Sequence, residues 1–190
     1  MGNTIGSMLN ELRTDHRNMV LLLSLLEAET ERLSANEKPD YDLLSSVMTY
    51  MAEYPDAVHH PREDRLYQHL AALRPNIDDS LQRVESDHKE LEHAGRGLCE
   101  GIEAAARGRS SDSKALAGAL QRYAKHLRSH MYWEEQQLFD LADEVSDELI
   151  VDTEQVGDPL FGRKTEKRFR RLLGKIQRRM VWDAQQYMPS

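Results

Sequence analysis

The 190-residue chain has a single cysteine, Cys99, so it cannot close an internal disulfide, and such usage suits a reducing cytoplasm. Aromatic residues are scarce, at 6%. The longest apolar run, Met19 to Leu23, is far too short to span a bilayer. The N-terminus MGNTIGSM lacks the basic start and apolar stretch of a secretory signal. What is abundant is Leu, Met, Ala, Glu, Gln, Arg and Lys, a balance that favours helix throughout. The net charge of −8 is unevenly spread: residues 163–179 hold nine basic residues and one acid. An acidic body with a basic arm invites self-docking or an anionic partner.

Four long helical segments can be traced. The first, Asn3 to Leu33, repeats Ile5, Met8, Leu9, Leu12, Met19, Leu22, Leu23 and Leu26 at three- and four-residue steps. SANEKPD forms a turn in which Asp40 is placed to cap the second segment. That segment reaches Leu73 but contains Pro55 and Pro61, which should kink or restart it. The third covers Ile77 to Ala106 and the fourth Ser113 to Val145. Helices of about 30 residues are about 45 Å long, and short loops between them predict an all-α, up-down-up-down four-helix bundle. Residues 1–145 would form that bundle. Residues 146–190 would form an extension: DELIVDTEQVGDPLFG as a broken stretch, then a basic amphipathic helix from Thr165 to Gln186 with Phe169, Leu172, Leu173 and Ile176 on one side.

His59 and Glu63 are four residues apart, one turn apart on one helix face. His130 and Glu134 repeat the pair. Each is preceded by a histidine in an Asp-His-basic triplet, Asp15-His16-Arg17 and Asp87-His88-Lys89. The His16–His59 and His88–His130 intervals agree to within one residue, so the chain reads as two similar hairpins of the form H…HxxxE. One such pair is an ordinary solvated couple; two at matched spacing, each with an upstream partner, predict a buried dinuclear metal site. Imidazole and carboxylate together suit iron, manganese or zinc, not calcium.

On these residues, across about Asn3 to Val145, the chain resembles the hemerythrin-like (HHE cation-binding) family. The resemblance implies a non-haem di-iron centre of two iron ions with an oxo or hydroxo bridge, bridging carboxylates Glu63 and Glu134, and terminal ligands His16, His59, His88 and His130. Two octahedral metals so ligated keep two open positions, and one more ligand leaves one. In oxygen-carrying hemerythrins that ligand is a histidine four residues after the third-helix one. Here the position is Glu92, which speaks against simple reversible oxygen carriage. His60, next to His59, is preferred as the additional ligand, then Glu92, then His126. Asp15 and Asp87 are candidates to orient His16 and His88. Trp133 is a candidate pocket wall; Tyr50, Tyr54, Tyr67, Tyr123 and Tyr132 read as core or bundle-edge residues, and Met8, Met19, Met48, Met51 and Met131 as core filler.

The expected ligand is a small molecule: dioxygen, nitric oxide or peroxide. Binding or sensing is the first reading; peroxide or nitric oxide detoxification and iron donation or storage are the alternatives. The basic helix is expected to lie on the acidic body or seal a homodimer, since nothing in the pattern signals nucleic acid.

Overall fold

The computed structural model describes residues 5–109, 112–145 and 159–186, with side chains from 164 to 179 in the last stretch. The expected start at Asn3 and residues 147–158 of the expected broken stretch lie outside the described residues; its last four residues, 159–162, are helical. Every regular element described is helical.

Helix α1 spans Ile5–Ser34 and α2 Tyr41–Tyr54. A π-helical turn, Pro55–His59, joins α2 to α3, His60–Leu73. Helix α4 is Asp78–Ala106 and α5 Ser113–Glu134; a second π-helical turn, Glu135–Phe139, leads into α6, Asp140–Glu144. Helix α7 is Pro159–Gln186.

Local chemistry sets these boundaries. Asp40 caps α2 by accepting the Leu43 N–H at 3.0 Å, as expected, and Asp112 caps α5 by accepting the Ala115 N–H at 2.8 Å. Two helices stop on left-handed residues, Asn36 with φ 57° after α1 and Gly108 with φ 67° after α4. Pro55 has no N–H to continue the ladder of α2. The helix absorbs the defect as a π turn closed by His60 N–H donating to the Pro55 carbonyl. The expected break is therefore a local rewinding just before His59, and the chain stays helical through Pro61. Helix α7 starts at Pro159, earlier than Thr165, because proline is tolerated in a first turn.

Helix α1 packs on α5, α2 on α4, α4 on α5, and α7 on α2 and the first π turn. The apolar interior falls into two clusters. One contains Met19, Leu23, Val47, Met51, Leu98 and Leu120; the other contains Leu9, Leu12, Leu66, Leu70, Val84 and Phe139. The histidines of α1, α4 and α5 lie between them in sequence: His16 between Leu12 and Met19, His88 between Val84 and Leu91, His130 between Leu127 and Leu138. A polar layer is thus sandwiched between two apolar ones. The apolar side of α7 joins the first cluster through Phe169 and Ile176, with Phe169 edge-on to Tyr50 and Tyr54.

Candidate metal centre

The polar layer draws one histidine from α1 (His16), one from the first π turn (His59), two from α3 and α4 (His60, His88) and one from α5 (His130), with Glu63 from α3 and Glu134 from α5. Three overlapping sets have ligand atoms within 4.8 Å of one another: His16, His59, Glu63 and Glu134; His60, Glu63 and His88; His88, His130 and Glu134. All seven side chains singled out in the sequence meet in this layer. Glu92 does not; it faces outward and pairs with Arg96 at 2.9 Å. His126 reaches only to Asp87, at 3.4 Å.

The carboxylates are oriented like bridges. Glu63 turns Oε1 to His59 Nε2 at 3.0 Å and to His16 Nε2 at 3.8 Å, and Oε2 to His88 Nε2 at 3.6 Å. Glu134 turns Oε2 to His130 Nε2 at 3.3 Å and to His16 at 3.6 Å, and Oε1 to His88 at 3.7 Å. Yet both oxygens of Glu63, Oε2 of Glu134 and Nε2 of His88 are buried and make no hydrogen bond. Unpaired buried carboxylates are costly. Cations between these atoms would remove the cost, so the donor set fits a metal-binding layer in chemistry as well as in position.

Outer carboxylates set the tautomers. Asp15 Oδ2 lies 3.3 Å from His59 Nδ1, Asp87 Oδ2 3.3 Å from His130 Nδ1, Glu135 Oε1 2.9 Å from His16 Nδ1, and Asp56 Oδ1 3.0 Å from His60 Nδ1. A proton held on Nδ1 leaves the Nε2 lone pair free to ligate. The two aspartates therefore act across helices, on His59 and His130 and not on their sequence neighbours His16 and His88. The Tyr54 hydroxyl donates to Asp15 Oδ1 at 2.7 Å and Arg62 reaches Asp15 Oδ2 at 3.3 Å. The Tyr67 hydroxyl donates to Glu134 Oε1 at 2.9 Å. Burial and the adjacent Glu134 push that phenol well above its usual range, so it stays a neutral donor.

Glu135, Tyr54 and Arg62 carry no signal of this role in the sequence, because each acts on a residue of another segment. Tyr67, one turn beyond Glu63, was the one a helical projection could have flagged. Trp133 is half-buried against the second apolar cluster, with the Arg83 guanidinium 4.3 Å over its ring.

His16 Nε2 and His59 Nε2 lie 3.1 Å apart, so without a cation one must carry a proton toward the other. Burial disfavours a charged His59, but Glu63 and Asp15 outweigh it and push the ring up to about 10. For His130 burial prevails and the ring is lowered. Glu63 is held well below the usual carboxylate range against its own burial, chiefly by His59 and His16.

Helices that bury paired histidines and carboxylates in one layer define a cation-binding helical domain. The family model of the hemerythrin HHE cation-binding domain matches residues 7–142, and the chain belongs to that family. A search of curated proteins and one of solved structures each returned no match.

Proposed function

We propose that the chain is a hemerythrin-like non-haem di-iron protein that binds or senses dioxygen, nitric oxide or peroxide. The observation that carries this reading is the pair of wholly buried carboxylates, Glu63 and Glu134, each with one oxygen toward His16 and the other toward His88. His16 and His59 would hold one ion and His88 and His130 the other, with Glu63 and Glu134 shared and His60 as the additional ligand to the His88 ion. Iron held there supplies reversible one-electron chemistry and a Lewis-acidic position for a small ligand. The chain's own contribution is to fix four imidazole tautomers, exclude water with the flanking apolar clusters, and present the neutral Tyr67 hydroxyl at Glu134.

The finer architecture belongs to the same proposal: an up-down-up-down bundle over residues 1–145, to which 146–190 add an arm. The family match, which stops at residue 142, supports that division. A cytoplasmic location rests on the lone cysteine; no helix among the described residues is long and apolar enough to cross a membrane.

Elemental analysis and an optical spectrum of the full chain expressed with iron test the proposal. Two irons per chain and the near-ultraviolet absorption of a bridged diferric pair are expected, both lost in Glu63→Ala. Manganese or zinc in place of iron, or no metal, would remove it. Turnover is the second reading, favoured by a cavity of about 540 Å³ that reaches His60, His88 and Tyr67, more room than a diatomic molecule needs. Oxygen evolved from peroxide faster than by free iron, and abolished in Glu134→Ala, would select it.

A further inference from the structure

We infer that the cleft between α3 and α4 is the port by which a hydrated divalent cation reaches the centre, with Asp64, Asp56 and His60 as its guiding groups. The inference rests on the metal-binding reading above and adds the route and its charge selectivity. The cleft is the cavity of about 540 Å³, and His60, His88 and Tyr67 line it.

Elsewhere the layer is shut. The side chains of His16, His59 and His130 are 2%, 3% and 3% exposed and those of Glu63 and Glu134 not at all, whereas His60 is 15% and His88 12% exposed. A smaller cavity, about 320 Å³ between α1 and α5, also touches His16. There the ring is stacked on Phe139 and held by Glu135, Arg128 at the mouth is paired with Glu27 at 2.8 Å, and Arg17 stands beside it. A dication there meets Arg17 and a closed ring, whereas the other mouth offers it Asp64 and Asp56.

Charge at the α3/α4 mouth is not all neutralised in pairs. Lys89 engages Glu85 at 2.6 Å and Arg96 engages Glu92 at 2.9 Å. Asp56 holds His60 Nδ1, and Asp64 has no ion-pair partner among the described residues. Below them lies an independent sign of a ligand: Glu63 Oε2, wholly buried and without a hydrogen bond, faces His88 Nε2 at 3.6 Å. His60 lies flat on His88, ring centroids 3.6 Å apart and 13° from parallel. An ion descending the cleft meets Asp64 and His60 first, then the His60, Glu63 and His88 set, and then the second carboxylate. Acid-lined clefts of low dielectric raise cation arrival rates, and salt weakens the effect.

Stopped-flow uptake of cobaltous ion by the metal-free, full-length chain, read from its visible bands, tests the port. Asp64→Asn should slow loading about threefold to tenfold and Lys89→Glu should speed it by a similar factor, both with unchanged final stoichiometry. Both differences should shrink in high salt, and Arg17→Gln should load at the wild-type rate. If Asp64→Asn and Lys89→Glu fill at the wild-type rate, or Arg17→Gln alone changes it, the port is overturned while the metal site stands. A wild-type chain that takes up no cobalt overturns the metal-binding reading and the port with it.

Discussion

In the first hairpin a π turn runs into His59 from its N-terminal side; in the second the π turn follows Glu134. The two H…HxxxE motifs are thus set into the layer by the same device at opposite ends. Their surroundings also part. The residue after His59 is His60, at the layer; the residue after His130 is Met131, in the apolar core. One turn beyond Glu63 stands Tyr67, which donates to the other hairpin's carboxylate, while one turn beyond Glu134 stands Leu138. Asp15 behind His59 is gripped by Tyr54 and Arg62, whereas Asp87 behind His130 has His126 at 3.4 Å and Arg83 at 3.9 Å. The repeat supplies the ligands, and the departures from it make the two ion positions chemically unequal.

The largest expected consequence is in pH. Metal binds neutral imidazole. In the metal-free chain Glu63 and Asp15 hold a proton on His59 up to about 10, while burial keeps His130 neutral. The ion on the His59 side must then displace a proton, and its affinity should fall about tenfold for each unit below about 10. The slope on the other side should be shallower across neutral pH, because burial lowers His130 although Glu134 and Glu63 raise His88 against its own burial. Chelator competition at several pH values, with calorimetry in two buffers to count released protons, checks this; equal slopes for both ions would erase the inequality. The sign for metal-free stability is the reverse. The charged His59 contributes fully below its ordinary value of 6.5 and the contribution is lost as pH rises through about 10.

Asp15→Asn against Asp87→Asn sharpens the same contrast. Removing a carboxylate that orients a ligating histidine costs about 10- to 100-fold in metal affinity. Asp15 is the better buried, 10% exposed against 20%, and the more firmly held. Asp15→Asn should therefore sit near the top of that range and Asp87→Asn near the bottom, measured by the same competition. Reversed order would mean that the grip of Tyr54 and Arg62 does not matter. Tyr67→Phe comes next. It strips a buried carboxylate of a donor and should cost the metal-free chain about 1.5–3 kcal/mol in urea unfolding, as for other hydrogen bonds to charged groups.

The legible part of this molecule was what lies along one helix. Helix length, the Asp40 cap and the two HxxxE pairs depend on neighbours three or four residues away, and periodicity reports those. The break before His59 was flagged by Pro55. The break at Glu135–Phe139 was not, because EQQLF contains no proline or glycine and its π turn is closed by Asp140 N–H donating to the Glu135 carbonyl. Contacts between helices were also hidden. Asp15 adjoins His16 in sequence, but its side chain crosses to His59, and His16 is held from the second π turn by Glu135. Adjacency in sequence puts two side chains about 100° apart on a helix, so neighbours are poor partners and a facing helix supplies better ones.

The arm gives the smallest effect. Arg62, which faces Asp15 at 3.3 Å and Glu11 at 3.8 Å, also donates to Glu166 of α7 at 2.9 Å, so the helix outside the family match touches the chain of groups behind His59. The second hairpin has no such contact among the described residues. Glu166→Gln removes one of three acids around Arg62, each partly exposed, and should cost only about 0.5 kcal/mol in thermal unfolding. The His59 Nδ1–Asp15 pair should persist, so the imidazole N–H resonance of His59 should stay in place while that of His130 serves as reference. A clear shift confined to His59 would show that α7 does more than cover Tyr50 and Tyr54, and that the arm widens the difference between the two ion positions.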